Sequence, residues 1–259
     1  MLRAWRTSRG KSQLALAVEA GISTRHLSFM ENGRSTPSRE MILTLAEHLD
    51  LPLRDRNSLL EAAGYAAVFR ETPLEADAMT EVRAALSHIL AASEPNPALV
   101  VNRRYDVLLT NSAALELFSF FAPSWTGKNN VAYLLLADDG LKPAVADWPS
   151  AAAHLVRRLR AELSGATDAR DQELLALIDL VQPQLGDAMG HAPNSPGADI
   201  LVPITLRRAG LSVDLFTTIT TLGTPLDITL QELRIETFFP ATPQSRHALA
   251  RILNTSREA

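Results

Sequence analysis

An α+β fold in two parts, an all-helical N-terminal bundle followed by an antiparallel sheet with helices on one face, is predicted by three features of this 259-residue sequence. Residues 1–64 read as short helices with sharp glycine and proline punctuation. Residues 98–110 and 200–239 carry the β-branched and aromatic alternation of strands, and helical periodicity fills most of the stretch between them. Hydrophobic residues make up 46% and charged residues 21%, which supports an ordinary packed core and argues against a largely disordered chain.

Ser12 is an N-cap residue type and opens a helix to Glu19, with Leu14, Ala17 and Val18 expected on its buried face at i, i+3, i+4 spacing. Gly21 ends it, because glycine reaches the left-handed conformation that a tight inter-helix turn needs. Ser23 caps a second helix to Glu31, with Leu27 and Met30 inward and Thr24, Arg25, His26 and Ser28 outward, and Asn32-Gly33 closes it. Pro37-Ser38 opens a further helix whose apolar stripe is Met41, Leu45, Ala46 and Leu49, up to the break at Pro52. Arg54 to Gly64 forms the next, with Leu59, Leu60 and Ala63 inside. Residues 65–80 read as a junction, Glu81 to Ala92 as one more helix, and Glu94-Pro-Asn-Pro97 as the entrance to the second part. The expected division is a first domain at 1–70, a linker and connecting helix at 71–94, and a second domain at 95–259.

In that second part, residues 98–102 and 107–110 form two short strands around a polar turn. Helices follow at Ser112–Phe121, Ala151–Leu163 and Asp171–Val181, then a Pro/Gly-rich loop at 190–197. Strands at 200–206, 211–221 and 232–239, the first two joined by Ala209-Gly210, precede a closing helix. A strand pair, helices, three strands and a helix imply an antiparallel sheet with helices packed on one face.

The absence of cysteine excludes a disulfide framework, a thiolate metal site and a cysteine nucleophile, and fits a reducing cytoplasm. The longest purely apolar run, Val131 to Ala137, is far short of the roughly 20 residues that cross a bilayer, and the first residues lack a secretory pattern. A cytoplasmic protein without a membrane partner is expected. The net charge of −4 conceals an asymmetry: residues 1–39 hold seven basic side chains (Arg3, Arg6, Arg9, Lys11, Arg25, Arg34, Arg39) against Glu19 and Glu31. Such clustering favours a polyanionic partner at the N-terminus.

Two helices joined by a glycine-containing turn, the second with a polar outer face, form the helix-turn-helix arrangement. Ser12 and Gln13 stand at a helix N-terminus, where backbone N–H groups and a carboxamide can hold a phosphate. Ser23, Thr24, Arg25, His26 and Ser28 lie at the end of the next helix that enters a major groove, with Arg25 the candidate for a bidentate guanine contact. Arg34, beyond Gly33, is placed to reach the DNA backbone. A helical bundle with a polar surface and no nucleic-acid role would present much the same residue types.

Gln13-Leu-Ala, Ala20-Gly-Ile-Ser23, Leu27-Ser28, Glu31-Asn-Gly-Arg34, Pro37 and Leu45-Ala46, in this order and spacing, resemble the DNA-binding domain of the XRE family of regulators. Ser23 through Arg34, Pro37 through Met41 and Pro52 through Asn57 resemble its MmyB-like branch, in which a helix-turn-helix precedes a PAS-like ligand-binding domain. Ala98-Leu-Val-Val, Arg103-Arg-Tyr-Asp, Gly140-Leu-Lys-Pro143, Asp147 before Trp148-Pro149, Gly223 to Leu230 and Glu236 to Pro240 are similar to that ligand domain. The resemblance covers nearly the whole chain, and departs from the family in a first helix that is short by several residues. It implies a one-component transcription regulator that binds double-stranded operator DNA as a homodimer and senses a small apolar, fatty-acid-like effector, with no bound cofactor.

Phe118, Phe121, Trp125, Leu134, Trp148 and Phe216 are the bulky residues expected to enclose that effector, with Thr218 among the strand threonines 217, 218, 220 and 221 as a polar handle. The same residues serve equally as ordinary core and strand formers. Arg157-Arg158 and Arg207-Arg208 can attract a carboxylate, although such pairs are usually solvated. No nucleophile elbow, zinc-protease, phosphate-loop or dinucleotide fingerprint is present, and the six histidines lack ligand spacing, so neither an enzyme nor a metal site is expected. The alternative is a constitutive DNA-binding or antitoxin-like protein whose second domain serves dimerisation or a protein partner.

Overall fold

Serine caps and glycine stops set the helices of the first unit. A computed structural model describes residues 1–163, 168–190 and 204–255. Helices α1 (Leu2–Ser8), α2 (Gln13–Glu19), α3 (Thr24–Glu31), α4 (Arg39–His48) and α5 (Leu53–Ala62) follow in order. The Ser12, Ser23 and Ser38 hydroxyls each accept a hydrogen bond from the backbone N–H three residues on, which satisfies a donor that the helix leaves open. Gly21 and Gly33 end α2 and α3 at φ of 66° and 69°. There the Ile22 N–H reaches back to Ala17 O and the Arg34 N–H to Phe29 O, the pairing of a Schellman stop.

Leu16, Ala17, Leu27, Met30, Ile42, Leu45, Ala46 and Leu60 form the core of this bundle. On α2 the buried face differs from the expected one: Leu14 and Val18 are 63% and 70% exposed, whereas Leu16 is fully buried. In a helix of two turns with apolar residues on several sides, the packing partners on α3 and α4 choose the face. Ala17, Leu27, Met30, Leu45, Ala46, Leu49, Leu59 and Leu60 are buried as expected.

Two compact units result, Met1–Met79 with Leu222–Gln231, and Thr80–Thr221 with Glu232–Ala259. The short segment 222–231 is thus part of the first unit. Its Asp227 carboxylate accepts hydrogen bonds from the Thr72 N–H and hydroxyl and from the Thr229 N–H, and its Gln231 Oε1 accepts one from the Leu53 N–H.

The second unit begins with α6 (Thr80–Ser93) and contains strands β1 (Ala98–Val101), β2 (Val107–Thr110), β3 (Ile204–Arg208), β4 (Leu211–Thr220) and β5 (Arg234–Pro240). They form one antiparallel sheet of order β2-β1-β5-β4-β3. Ala209 and Gly210, both at positive φ, make the two-residue hairpin between β3 and β4, the turn whose twist matches paired strands. Between β2 and β3 lie α7 (Ser112–Phe121), α8 (Val131–Leu136), α9 (Trp148–Glu162) and α10 (Ala169–Val181). After β4 the chain passes through α11 (Ile228–Glu232), all but the last residue of which belongs to the first unit, and returns to β5 and α12 (Pro243–Thr255). Leu99, Val101, Leu206, Val213 and Leu215 of the sheet share one apolar core with Leu117, Leu135, Val156, Leu159, Ile178 and Leu249 of the helices. Of the loop expected at 190–197, residues 191–197 lie outside the described residues, as do the first residues of the strand expected from Ile200. Among the described residues no helix is long and apolar enough to cross a membrane.

Candidate DNA interface and ligand cavity

The first candidate site grows from one buried carboxylate. The Glu31 side chain, fully shielded at the end of α3, accepts hydrogen bonds from Arg6 Nε and Nη2 at 2.6 and 3.0 Å and from Gln13 Nε2 at 2.6 Å. Burial raises its pKa, but the Arg6 and Gln13 hydrogen bonds and the Arg6 and Arg3 charges outweigh that and hold it below the ordinary glutamate value. Gln13, the first residue of α2, is thereby fixed in orientation, with one of its two Nε2 hydrogens donated inward to Glu31.

Ser12 and Ser23 are exposed caps, and Thr24, Arg25, His26 and Ser28 are exposed or half-buried on α3 as expected. Arg25 lies over the Phe29 ring, one turn along, at 5.3 Å, which pre-orders its guanidinium on the helix surface. Arg34 is exposed just past the α3 stop. The structure brings all eight sequence-selected residues onto the α2–α3 motif. It also narrows the basic surface. Arg6 is bound to Glu31, while Arg9 donates to the Leu49 and Asp50 carbonyls and Lys11 to the His48 carbonyl, where cations complement the C-terminal end of α4.

The second candidate site is a cavity of about 430 Å³ between the sheet and the helices, within the range of about 300–1,000 Å³ usual for small-molecule sites. Leu215, Thr217 and Ile219 of β4 and Phe238 of β5 form its sheet wall, and Leu117 and Phe118 of α7 with Ala151 and Leu155 of α9 face them. Phe118 and Phe238 meet edge to face at 6.0 Å. Ala146, Asp147 and His154 lie at its exposed rim, and Tyr105 and Glu236 at its buried end beside Arg158. Burial and the charge of Arg157 lower the His154 pKa.

Of the seven residues selected from sequence for this site, Phe118 lines the cavity. Trp125 and Leu134 line a neighbouring pocket of about 180 Å³ that also touches Phe118. Phe121 is buried in the core, and Trp148 is buried with its indole N–H donated to the Leu135 carbonyl at 2.8 Å. Phe216 and Thr218 sit at the opposite strand parity from Leu215, Thr217 and Ile219, hence on the other sheet face, where Phe216 stacks on Phe239. Sequence reasoning did not select Tyr105, Leu155 or Glu236. Glu236 carries no local signal, since it shares strand parity with Glu232 and Arg234, the charged side of that stretch; Arg158 and Thr217 stand in the sequence as cationic and polar candidates. A second depression, of about 560 Å³, lined by Arg160, Asp179 and Gln182 together with Pro183, Gly186 and Met189, is mixed in character and open to solvent. Among the described residues no group of three or more His, Asp or Glu gathers to hold a metal.

Residues 82–252, more than half of the chain, match the family model described as the MmyB-like transcription regulator ligand binding domain, and residues 2–55 match a helix-turn-helix model. No curated protein matches the chain.

Proposed function

The chain belongs to the family of MmyB-like transcription regulators, and from that premise we propose that it represses or activates transcription in the cytoplasm by binding operator DNA as a homodimer under control of a small apolar, fatty-acid-like effector. Its helix-turn-helix makes it a DNA-binding regulator, and its second unit is a ligand-binding domain of that family. Read as PAS-like, that domain senses the effector, needs no cofactor and catalyses no reaction. The observation that carries the ligand class is the cavity wall, built mainly of Leu, Ile, Val and Phe side chains, which favours an apolar molecule through the area it removes from water.

On the DNA side, two recognition helices are proposed to read half-sites about 34 Å apart or a multiple of it, since one small motif covers too little duplex for tight specific binding. Arg25→Ala is expected to cost about 1–3 kcal/mol and to relax preference at one base position. Gln13→Ala is expected to weaken all sequences alike, because its role is at a phosphate. Selection of bound sequences from a random DNA pool checks both, and an unchanged base preference in Arg25→Ala removes Arg25 from the reading set.

Regulation requires the effector to bind the DNA-competent and DNA-incompetent arrangements unequally. A coupling of about 1–3 kcal/mol corresponds to a roughly 5- to 150-fold change in DNA affinity. The experiment is a titration of a labelled, selected DNA with the full-length protein, with and without fatty acids of graded chain length. A shift that grows with chain length and then saturates supports the proposal. Calorimetric binding of a fatty acid with no shift in DNA affinity overturns it.

A further inference from the structure

The buried end of the cavity carries charge that an apolar site does not need. Glu236 stands in the middle of the sheet, paired across β5 with Leu99 on one side and Ile219 on the other, and its side chain is 7% exposed. Its nearest cation, Arg158 Nη1, is 4.0 Å away, too long for a hydrogen bond. The Arg158 guanidinium also lies over the Tyr105 ring at 5.8 Å, and Tyr105 lines the same end of the cavity as Glu236. Arg234, two residues along β5, is paired with Glu162 of α9. Along α9, Ala151, Leu155 and Arg158 face the cavity at i, i+4 and i+7, so an apolar channel of about 10 Å leads from the rim to this polar end.

Counting the ions decides what fits. With Glu236 ionised, Arg158 and Glu236 cancel, and so do Arg234 and Glu162. A ligand carboxylate seated here adds one uncompensated negative charge beside a buried carboxylate, an arrangement that strongly disfavours ionisation of both. A head group that is hydrogen-bonding but uncharged adds none. Burial already pushes the Glu236 carboxyl up, against the opposing pull of Arg158, Arg234 and Tyr105.

We propose that this end of the cavity selects ligands by head-group charge. It seats a hydrogen-bonding head that brings no net negative charge, such as a primary alcohol or an un-ionised carboxylic acid, and takes a carboxylate only with one proton from solvent, held between the ligand and Glu236. The proposal rests on the cavity being the effector site. It makes Glu236 a specificity residue: the wall binds the tail, and Glu236 sets which head, at which pH, can accompany it.

The test compares 1-dodecanol with dodecanoate on the full-length protein by titration calorimetry between pH 6 and pH 9. Dodecanol is expected to bind with a Kd independent of pH. Dodecanoate is expected to weaken with rising pH by up to about tenfold per unit, the slope for one proton taken up on binding. In that window, heats measured in buffers of different ionisation enthalpy should report uptake of up to one proton, a readout that needs no variant. Glu236→Gln, nearly the same in shape, should abolish the slope. Equal pH dependence for the two ligands in the wild-type protein overturns the proposal, as does a slope that persists in Glu236→Gln. Binding of neither molecule overturns instead the reading of the cavity as an apolar effector site.

Discussion

Arg6→Ala is expected to destabilise the N-terminal unit by about 3–5 kcal/mol, because it leaves the fully shielded Glu31 carboxylate without its cation. Gln13 donates a single hydrogen bond and cannot supply the missing charge. Hydrogen exchange resolved by peptide reads the effect directly, as a joint loss of protection across α2 and α3; a loss below about 1 kcal/mol defeats the expectation. Replacing both partners by apolar residues, Arg6→Met with Glu31→Leu, should recover much of the stability, since it removes the buried charge along with its partner. DNA binding should stay weak in that double variant, because Gln13 loses the group that orients it. The pH dependence has a definite sign. Glu31 has a lowered pKa in the folded chain, so its contribution is fully present above the ordinary glutamate range and is lost as the pH falls through the folded value. Wild-type protein should therefore lose stability on acidification more steeply than the double variant.

The second large effect is expected at Asp171, almost fully buried on α10. Its carboxylate binds Arg103 Nη2 at 2.6 Å and also pairs with Arg104 Nε. Asp171→Ala should cost about 3–5 kcal/mol by leaving the buried Arg103 guanidinium unpaired, with Glu232, 3.6 Å from Arg103, supplying partial compensation. The consequence reaches the cavity through sequence. Arg103 and Arg104 are followed directly by Tyr105, held at φ 65° at the polar end of the cavity, and burial pushes its phenol pKa up. Release of the two arginines should increase exchange around β1 and β2 and weaken dodecanol binding in parallel. Asp171→Asn, which keeps the shape and loses the charge, should fall between. Retained ligand affinity in a destabilised Asp171→Ala would separate the ion cluster from the cavity.

The starts and stops of the helices of the DNA-binding motif are legible in the amino-acid order alone, since capping is a local matter. Ser12, Ser23 and Ser38 satisfy donors three residues away, and Gly21 and Gly33 adopt a backbone conformation that is strained for other residues. The same holds for the Ala209-Gly210 hairpin and for helices α7, α9 and α10 of the second unit, whereas the short helices α8 and α11 are not among the expected elements and Glu232, expected in a strand, ends α11. Tertiary structure decided which face each element buries. Leu14, Leu16, Ala17 and Val18 give α2 apolar residues on several sides, and only packing against neighbouring helices turned Leu16 inward and left Leu14 and Val18 outside. Along β4 both strand faces carry good strand formers between Leu215 and Thr220, and the cavity falls to the odd positions 215, 217 and 219 because helices α7 and α9 lie over that face. Arg6, Glu31, Arg158 and Glu236 belong to the residue types least often buried. The burial of Glu31 and Glu236 and the placement of Arg6 and Arg158 follow from partners brought together by the fold, Glu31 lying 25 residues from Arg6 and Glu236 lying 78 from Arg158, and no local pattern encodes an interaction at such separations.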